Sequence, residues 1–234
     1  MLVNYSDQAR DNMLCLFEDV EYSERREVFF RIIKHFSERE VGWAVGCSMN
    51  LFLRGVVDDF HDLDLIVDIK SVDEVKKTMD ELGAKLIATG GNGYCESDIY
   101  LHYQLGRVDV DVISGFRVLT FGTSYYYEFA QDEIDVIEVE GISIPLISLE
   151  AMYVLYFMME GWQPRRKFKR LLIEEYFKQN RPIHREVFAK AISENNLPGW
   201  IRWEIKKIVS YWEKEQSEGK YLRFVPFKRN KTHH

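Results

Sequence analysis

Cysteine is scarce in this 234-residue chain, and the three present, Cys15, Cys47 and Cys95, are odd in number and lack any C-x-x-C spacing. That excludes a paired disulfide framework and a zinc knuckle, and Cys15 and Cys95 read as ordinary thiols. Long apolar runs are lacking too: the longest, around Met152–Met159, falls far short of the ~20 residues that cross a bilayer. Near the start, Asn4, Asp7, Arg10 and Asp11 interrupt any apolar stretch of a signal peptide. The expectation is a cytoplasmic protein with no membrane partner. Internal repeats and low-complexity tracts are absent as well, which excludes solenoid and compositionally disordered classes.

What is present supports a folded core, since 46% of residues are hydrophobic and 14% aromatic. The net charge of −7 conceals an asymmetry. Residues 1–150 carry 13 basic and 29 acidic side chains, a net of −16, whereas residues 151–234 carry 18 and 9, a net of +9. Two such halves attract, either as a salt-bridged interface or as the walls of a cleft suited to a metal-bound polyphosphate.

Apolar residues recurring at three and four positions predict a helix over 21–38, through Val28, Phe29, Ile32, Ile33 and Phe36. A strand over 41–45 then meets Gly46-Cys47-Ser48, with Ser48 expected as N-cap of a short helix stopped by Gly55. A strand over 62–67 and an amphipathic helix over 72–82 follow. Alternating segments at 85–88, 99–104, 107–113, 117–121, 134–139 and 142–147 predict further strands. Beyond them the pattern turns helical at 149–162, 167–179, 185–193 and 200–215, with Pro164, Pro182 and Pro198 near helix starts. The expected class is α/β (α+β): a mixed sheet with flanking helices over 1–147, then a helical bundle over 148–234. Trp200, Trp203 and Trp212 are expected in its core, and residues 228–234 as a frayed tail.

The most informative feature is acidic. Asp62 and Asp64 alternate with Leu63 and Leu65 on one strand, and Asp109 and Asp111 alternate with valines on another. At ~3.3 Å per residue, the members of each pair stand ~6.6 Å apart on one sheet face. That span suits two metal ions ~3.5–4 Å apart. If the strands are neighbours, carboxylates ~5 Å apart repel by ~3 kcal/mol at an effective dielectric near 20, a penalty a divalent cation would remove. The bland alternative is solvated acids at strand ends, or partners of the basic half. The flanking Val, Ile and Leu residues speak against it, because they normally bury a strand, and a buried carboxylate cluster needs partners.

Gly46-x-Ser48 at a strand-to-helix turn offers close backbone approach, amide donors and a hydroxyl to a phosphate. Taken together, Gly46-Cys47-Ser48, the short helix, Asp62-Leu63-Asp64 and the later acidic strand resemble the nucleotidyltransferase superfamily with the polymerase-beta-like fold. Gly141-Ile142-Ser143-Ile144-Pro145-Leu146-Ile147-Ser148-Leu149-Glu150-Ala151 is similar to the stretch leading into the C-terminal helix of its small bacterial members. These include aminoglycoside and lincosamide nucleotidyltransferases and abortive-infection toxins. Cys47 stands where that family usually has glycine or serine.

The resemblance implies two Mg2+ ions at Asp62 and Asp64 and a triphosphate held by Gly46 and Ser48. It also implies a third acid, Asp109 or Asp111, that helps activate an acceptor hydroxyl. Both face the same way from their strand, and both stay as candidates. The implied partners are an NTP, ATP among the candidates, and a hydroxyl-bearing small molecule, an antibiotic among the candidates. A tRNA acceptor is the alternative, and a non-catalytic nucleotide-binding module of the same fold is another. The sequence sets no oligomeric state. Arg166, Lys169 and Arg170 form a basic helical face. Lys169 and Arg170 are expected at the nucleotide, the alternative being a solvated surface. Tyr125-Tyr126-Tyr127 could stack on a base or close the sheet onto the core.

Overall fold

The computed structural model describes residues 7–217 apart from 92, 121, 140 and 181. The expected tail over 228–234 therefore lies outside the described residues. The elements, in chain order, are α1 (Asp7–Glu18), α2 (Ser23–Glu38), β1 (Trp43–Val45), α3 (Cys47–Leu53), β2 (Leu63–Val67) and α4 (Val72–Glu81). Then come β3 (Lys85–Thr89), β4 (Ile99–Leu105), β5 (Val108–Ser114), β6 (Phe116–Thr120), β7 (Thr123–Tyr127), β8 (Ile134–Val139) and β9 (Ile142–Ile147). The helices α5 (Leu149–Met159), α6 (Pro164–Gln179), α7 (Arg185–Glu194) and α8 (Gly199–Ser217) follow.

Seven strands form one mixed sheet in the order β3-β4-β5-β2-β1-β9-β8, and β6 and β7 form a separate two-stranded ribbon. β2 is central, parallel to β5 and antiparallel to β1. Every one of its residues is buried, which is why it reads Leu-Asp-Leu-Ile-Val and why its one polar side chain demands an explanation. β5 instead alternates between buried valines and more exposed aspartates.

α2 buries the apolar stripe expected of it. α5 is buried along its whole length, as a helix apolar on every side but for Glu150 must be, and it packs against β6, β7, α6 and α7. Two elements escaped the sequence reading, α1 and β7. Tyr125 and Tyr127 face the core from β7 with Tyr126 between them, so this triplet closes a sheet. Trp200 and Trp203 are not core residues: Trp203 is 61% exposed, and Ile201, Ile205 and Ile208 hold the buried face of α8.

Candidate active site

β1 delivers the chain to Gly46, which caps α3 and continues the β1–β2 ladder through its N–H to the Asp64 carbonyl at 2.9 Å. Packing explains the glycine here. A Cβ at Gly46 would lie 2.9 Å from Ile66 Cγ1, closer than van der Waals contact allows. Cys47 follows at φ 43°, a left-handed conformation that disfavours side chains. The cap is therefore Gly46 and not Ser48, which sits within the first turn and donates its hydroxyl to Asp62 Oδ1 at 3.3 Å.

Asp62 immediately precedes β2 and Asp64 lies within it. The parallel register places Asp111 of β5 beside Asp64. One oxygen from each of Asp62, Asp64 and Asp111 lies within 4.8 Å of the other two. Asp109 shares the face of β5 but stays outside this cluster, with its side chain 52% exposed and paired at 3.7 Å with His102 Nε2. The alternation that made Asp109 and Asp111 equivalent is broken only by which of them has β2 alongside.

The electrostatics are adverse as they stand. Burial pushes the Asp64 carboxyl well above its ordinary value, and the charges of Asp62 and Asp111 push it further. Asp111 is also raised, chiefly by burial, against the hydrogen bonds of His102 and Tyr100 that favour its charged form. The Cys47 thiol is raised by burial and then by the charge of Asp64. A triad of acids with one member buried and two half-buried is costly unless cations offset it. Three hard oxygen donors within 4.8 Å of one another fit Mg2+ or Mn2+ better than a softer metal.

Cations approach from α6. Arg166 and Lys169 lie over the Tyr156 ring, 5.6 and 5.8 Å from its centre, and both feel the negative charge of Asp64. Burial, and then Arg166 beside it, lower the Lys169 ammonium below its usual range. Among the described residues no ion pair joins either cation to the three acids. Arg170 faces elsewhere: its guanidinium donates to Glu160 at 2.8 Å and Glu174 at 3.0 Å and stacks 4.2 Å over Phe157. The structure thus brings Gly46, Ser48, Asp62, Asp64, Asp111 and Lys169 together and leaves Asp109 and Arg170 outside.

The sequence reading missed Tyr100 and His102, which contact Asp111 from β4. Their period-two spacing on an alternating strand was the available signal. Arg166, not Arg170, joins Lys169, and the Arg170–Glu174 spacing of four residues was the sign that Arg170 was already engaged.

No protein-family model matches this chain, and neither does any curated protein. Solved structures do. The Thermotoga maritima protein TM1012, described as a nucleotidyltransferase, superposes with a TM-score of 0.50 at 21% identity, covering 64% of this chain and 94% of that one. The antibiotic-resistance factor ANT(2'')-Ia superposes with a TM-score of 0.50 at 15% identity, covering 82% and 96%. The chain has the nucleotidyltransferase fold.

Proposed function

We propose that this protein, built on the nucleotidyltransferase fold, transfers a nucleoside monophosphate from an NTP to a hydroxyl group in a metal-dependent reaction that releases pyrophosphate. The observation that carries this reading is the convergence of Asp62, Asp64 and Asp111 from two adjacent strands, next to the Gly46–Ser48 turn. Asp62 and Asp64 would hold two Mg2+ ions, with Asp111 completing the ligand set. Such ions would supply charge neutralisation for both the entering and the leaving oxygen.

The remaining work falls to protein groups. The acceptor oxygen forms a bond to the α-phosphorus as the bond from that phosphorus to the β-phosphate oxygen breaks, and the acceptor proton passes to a nearby carboxylate, with Asp111 the candidate. Positioning and charge neutralisation dominate such transfers. Gly46 N–H is committed to the sheet and the Ser48 hydroxyl donates to Asp62, so the first free amides of α3 are the phosphate donors of this turn, joined by the Ser48 hydroxyl once a cation takes over Asp62. Arg166 and Lys169 stabilise the departing pyrophosphate from the opposite wall.

The acceptor in this proposal is a small molecule. One structural neighbour is an antibiotic-resistance factor, and the acidic N-terminal part suits a cationic hydroxyl compound. The test is incubation with each NTP and Mg2+ against a panel of aminoglycosides, lincosamides and tRNA, read by pyrophosphate release and by the acceptor's mass. A gain of one nucleoside monophosphate on an antibiotic is expected, lost in Asp62→Ala and Asp64→Ala while circular dichroism stays unchanged. Transfer to tRNA alone would replace the acceptor. Wild-type activity in either alanine variant would refute the site.

A further inference from the structure

β4 runs antiparallel to β5, and its register sets His102 directly opposite Asp111. Alternation then puts Tyr100 on the same sheet face. Each side chain takes one carboxylate oxygen: His102 Nδ1 lies 2.6 Å from Oδ1, and the Tyr100 hydroxyl donates to Oδ2 at 2.9 Å. With Asp111 ionised the carboxylate only accepts, and the His102 tautomer that suits this contact is the one protonated on Nδ1. Asp62 is held more lightly, by the Ser48 hydroxyl at 3.3 Å.

We propose that Tyr100 and His102 are positioning residues that fix the carboxylate plane of Asp111 toward Asp62 and Asp64. The need for them is electrostatic. Like charges ~5 Å apart repel by ~3 kcal/mol at an effective dielectric near 20, and a half-buried carboxylate free to turn would swing away from its neighbours. One donor on each oxygen blocks that rotation. Each oxygen keeps a second lone pair for a cation or an acceptor proton. Asp109 then has a place as well: it lies beyond the imidazole, 3.7 Å from Nε2, outside the cluster that the ring serves. This inference deepens the transferase reading and rests on it.

The test uses the full chain as wild type, His102→Ala, His102→Asn and Tyr100→Phe. It measures kcat and KM for the nucleotide, and Mn2+ affinity by electron paramagnetic resonance without nucleotide. His102→Ala should lower kcat by about 10–100-fold, as partners of metal-site ligands do, with nucleotide KM unchanged and Mn2+ affinity reduced. His102→Asn keeps a donor near Nδ1 and should recover most of both; Tyr100→Phe should show a smaller loss. Wild-type kcat and Mn2+ affinity in His102→Ala would overturn the proposal, as would equal losses in the alanine and asparagine variants. If His102→Ala does not fold, unchanged values in Tyr100→Phe overturn it instead. Mn2+ binding that weakens in the variants without nucleotidyl transfer by the wild type overturns the transferase reading and leaves the positioning role standing. A wild type that binds no Mn2+ removes both.

Discussion

Two aspartates two residues apart on β5 have different fates because a neighbouring strand selects one of them. Asp111 is brought beside Asp64 and Asp109 is not, so Asp111→Asn should lower kcat by about 100-fold or more, the scale of a lost general base. Asp109→Asn should cost at most about tenfold, the low end for an outer partner. Steady-state kinetics on both variants separates them, and equal losses would contradict the geometry. Two basic residues on α6 part company in the same way. Lys169→Gln should raise the nucleotide KM and leave stability alone. Arg170→Gln should leave KM unchanged and cost about 1.5–3 kcal/mol per charged hydrogen bond lost, measured by urea denaturation, because Glu160 and Glu174 lose their partner. The first distinction was illegible in the sequence, whereas the four-residue spacing of Arg170 and Glu174 signalled the second. Strand alternation names a face, and helix periodicity names a side, but neither states what lies across from them.

At the scale of elements, a buried polar network fastens α3 to the strands and helices that follow it. Arg54, at the end of α3, donates to Asn50, to Asp135 at 2.8 Å and to the Ile147 carbonyl at 3.0 Å. Asp135 also meets His184 Nε2 at 3.0 Å, and the His184 N–H donates to Glu150. Asp135→Ala would strand Arg54 as a buried charge and should cost about 3–5 kcal/mol. Burial opposes the charge on Asp135, but His184 and Arg54 outweigh it and hold the carboxyl at about 2 against an ordinary 3.8. Its contribution is complete above the ordinary value and lost as pH falls through about 2. His184 is raised above 6.5, first by its bond to Asp135, against burial, with Glu150 and Glu186 adding. Its contribution is complete below 6.5 and lost as pH rises through the raised value. Melting temperatures should therefore fall as pH rises above 6.5 in the wild type and fall less in His184→Gln; identical slopes would contradict the assignment. The long elements were legible from period alone: α2, α4, α6 and eight of the nine strands lie close to their expected spans. β7 was not, because three consecutive tyrosines hide an alternation that only burial reveals. α1 was not, because its buried stripe is thin, with small Ala9 and polar Asn12 standing beside Met13 and Leu16.

Across the whole molecule, the acidic and basic parts meet in two ways. Lys190 pairs with Glu133 and His184 with Asp135 across the division, and Arg166 and Lys169 overlook the acid triad without touching it. We propose that residues 1–147 and 148–234 divide the catalytic work and not the folding, because α5 is buried against the β6–β7 ribbon. Unfolding of the full chain should then be a single transition by fluorescence and circular dichroism together; separate transitions would contradict it. The fold class was readable from the order of strands and helices. The candidate site was legible as a local pattern as far as Asp62, Asp64 and the Gly46–Ser48 turn, because those lie close in sequence. Its third acid and its cations depend on long-range pairing, which no local pattern encodes. The most direct test of the account is anomalous diffraction from crystals grown with Mn2+ and a non-hydrolysable NTP. Mn2+ peaks bridged by Asp62, Asp64 and Asp111, with the triphosphate between Ser48 and Lys169, are the predicted result. Metal bound elsewhere, or a nucleotide held away from these carboxylates, would contradict it.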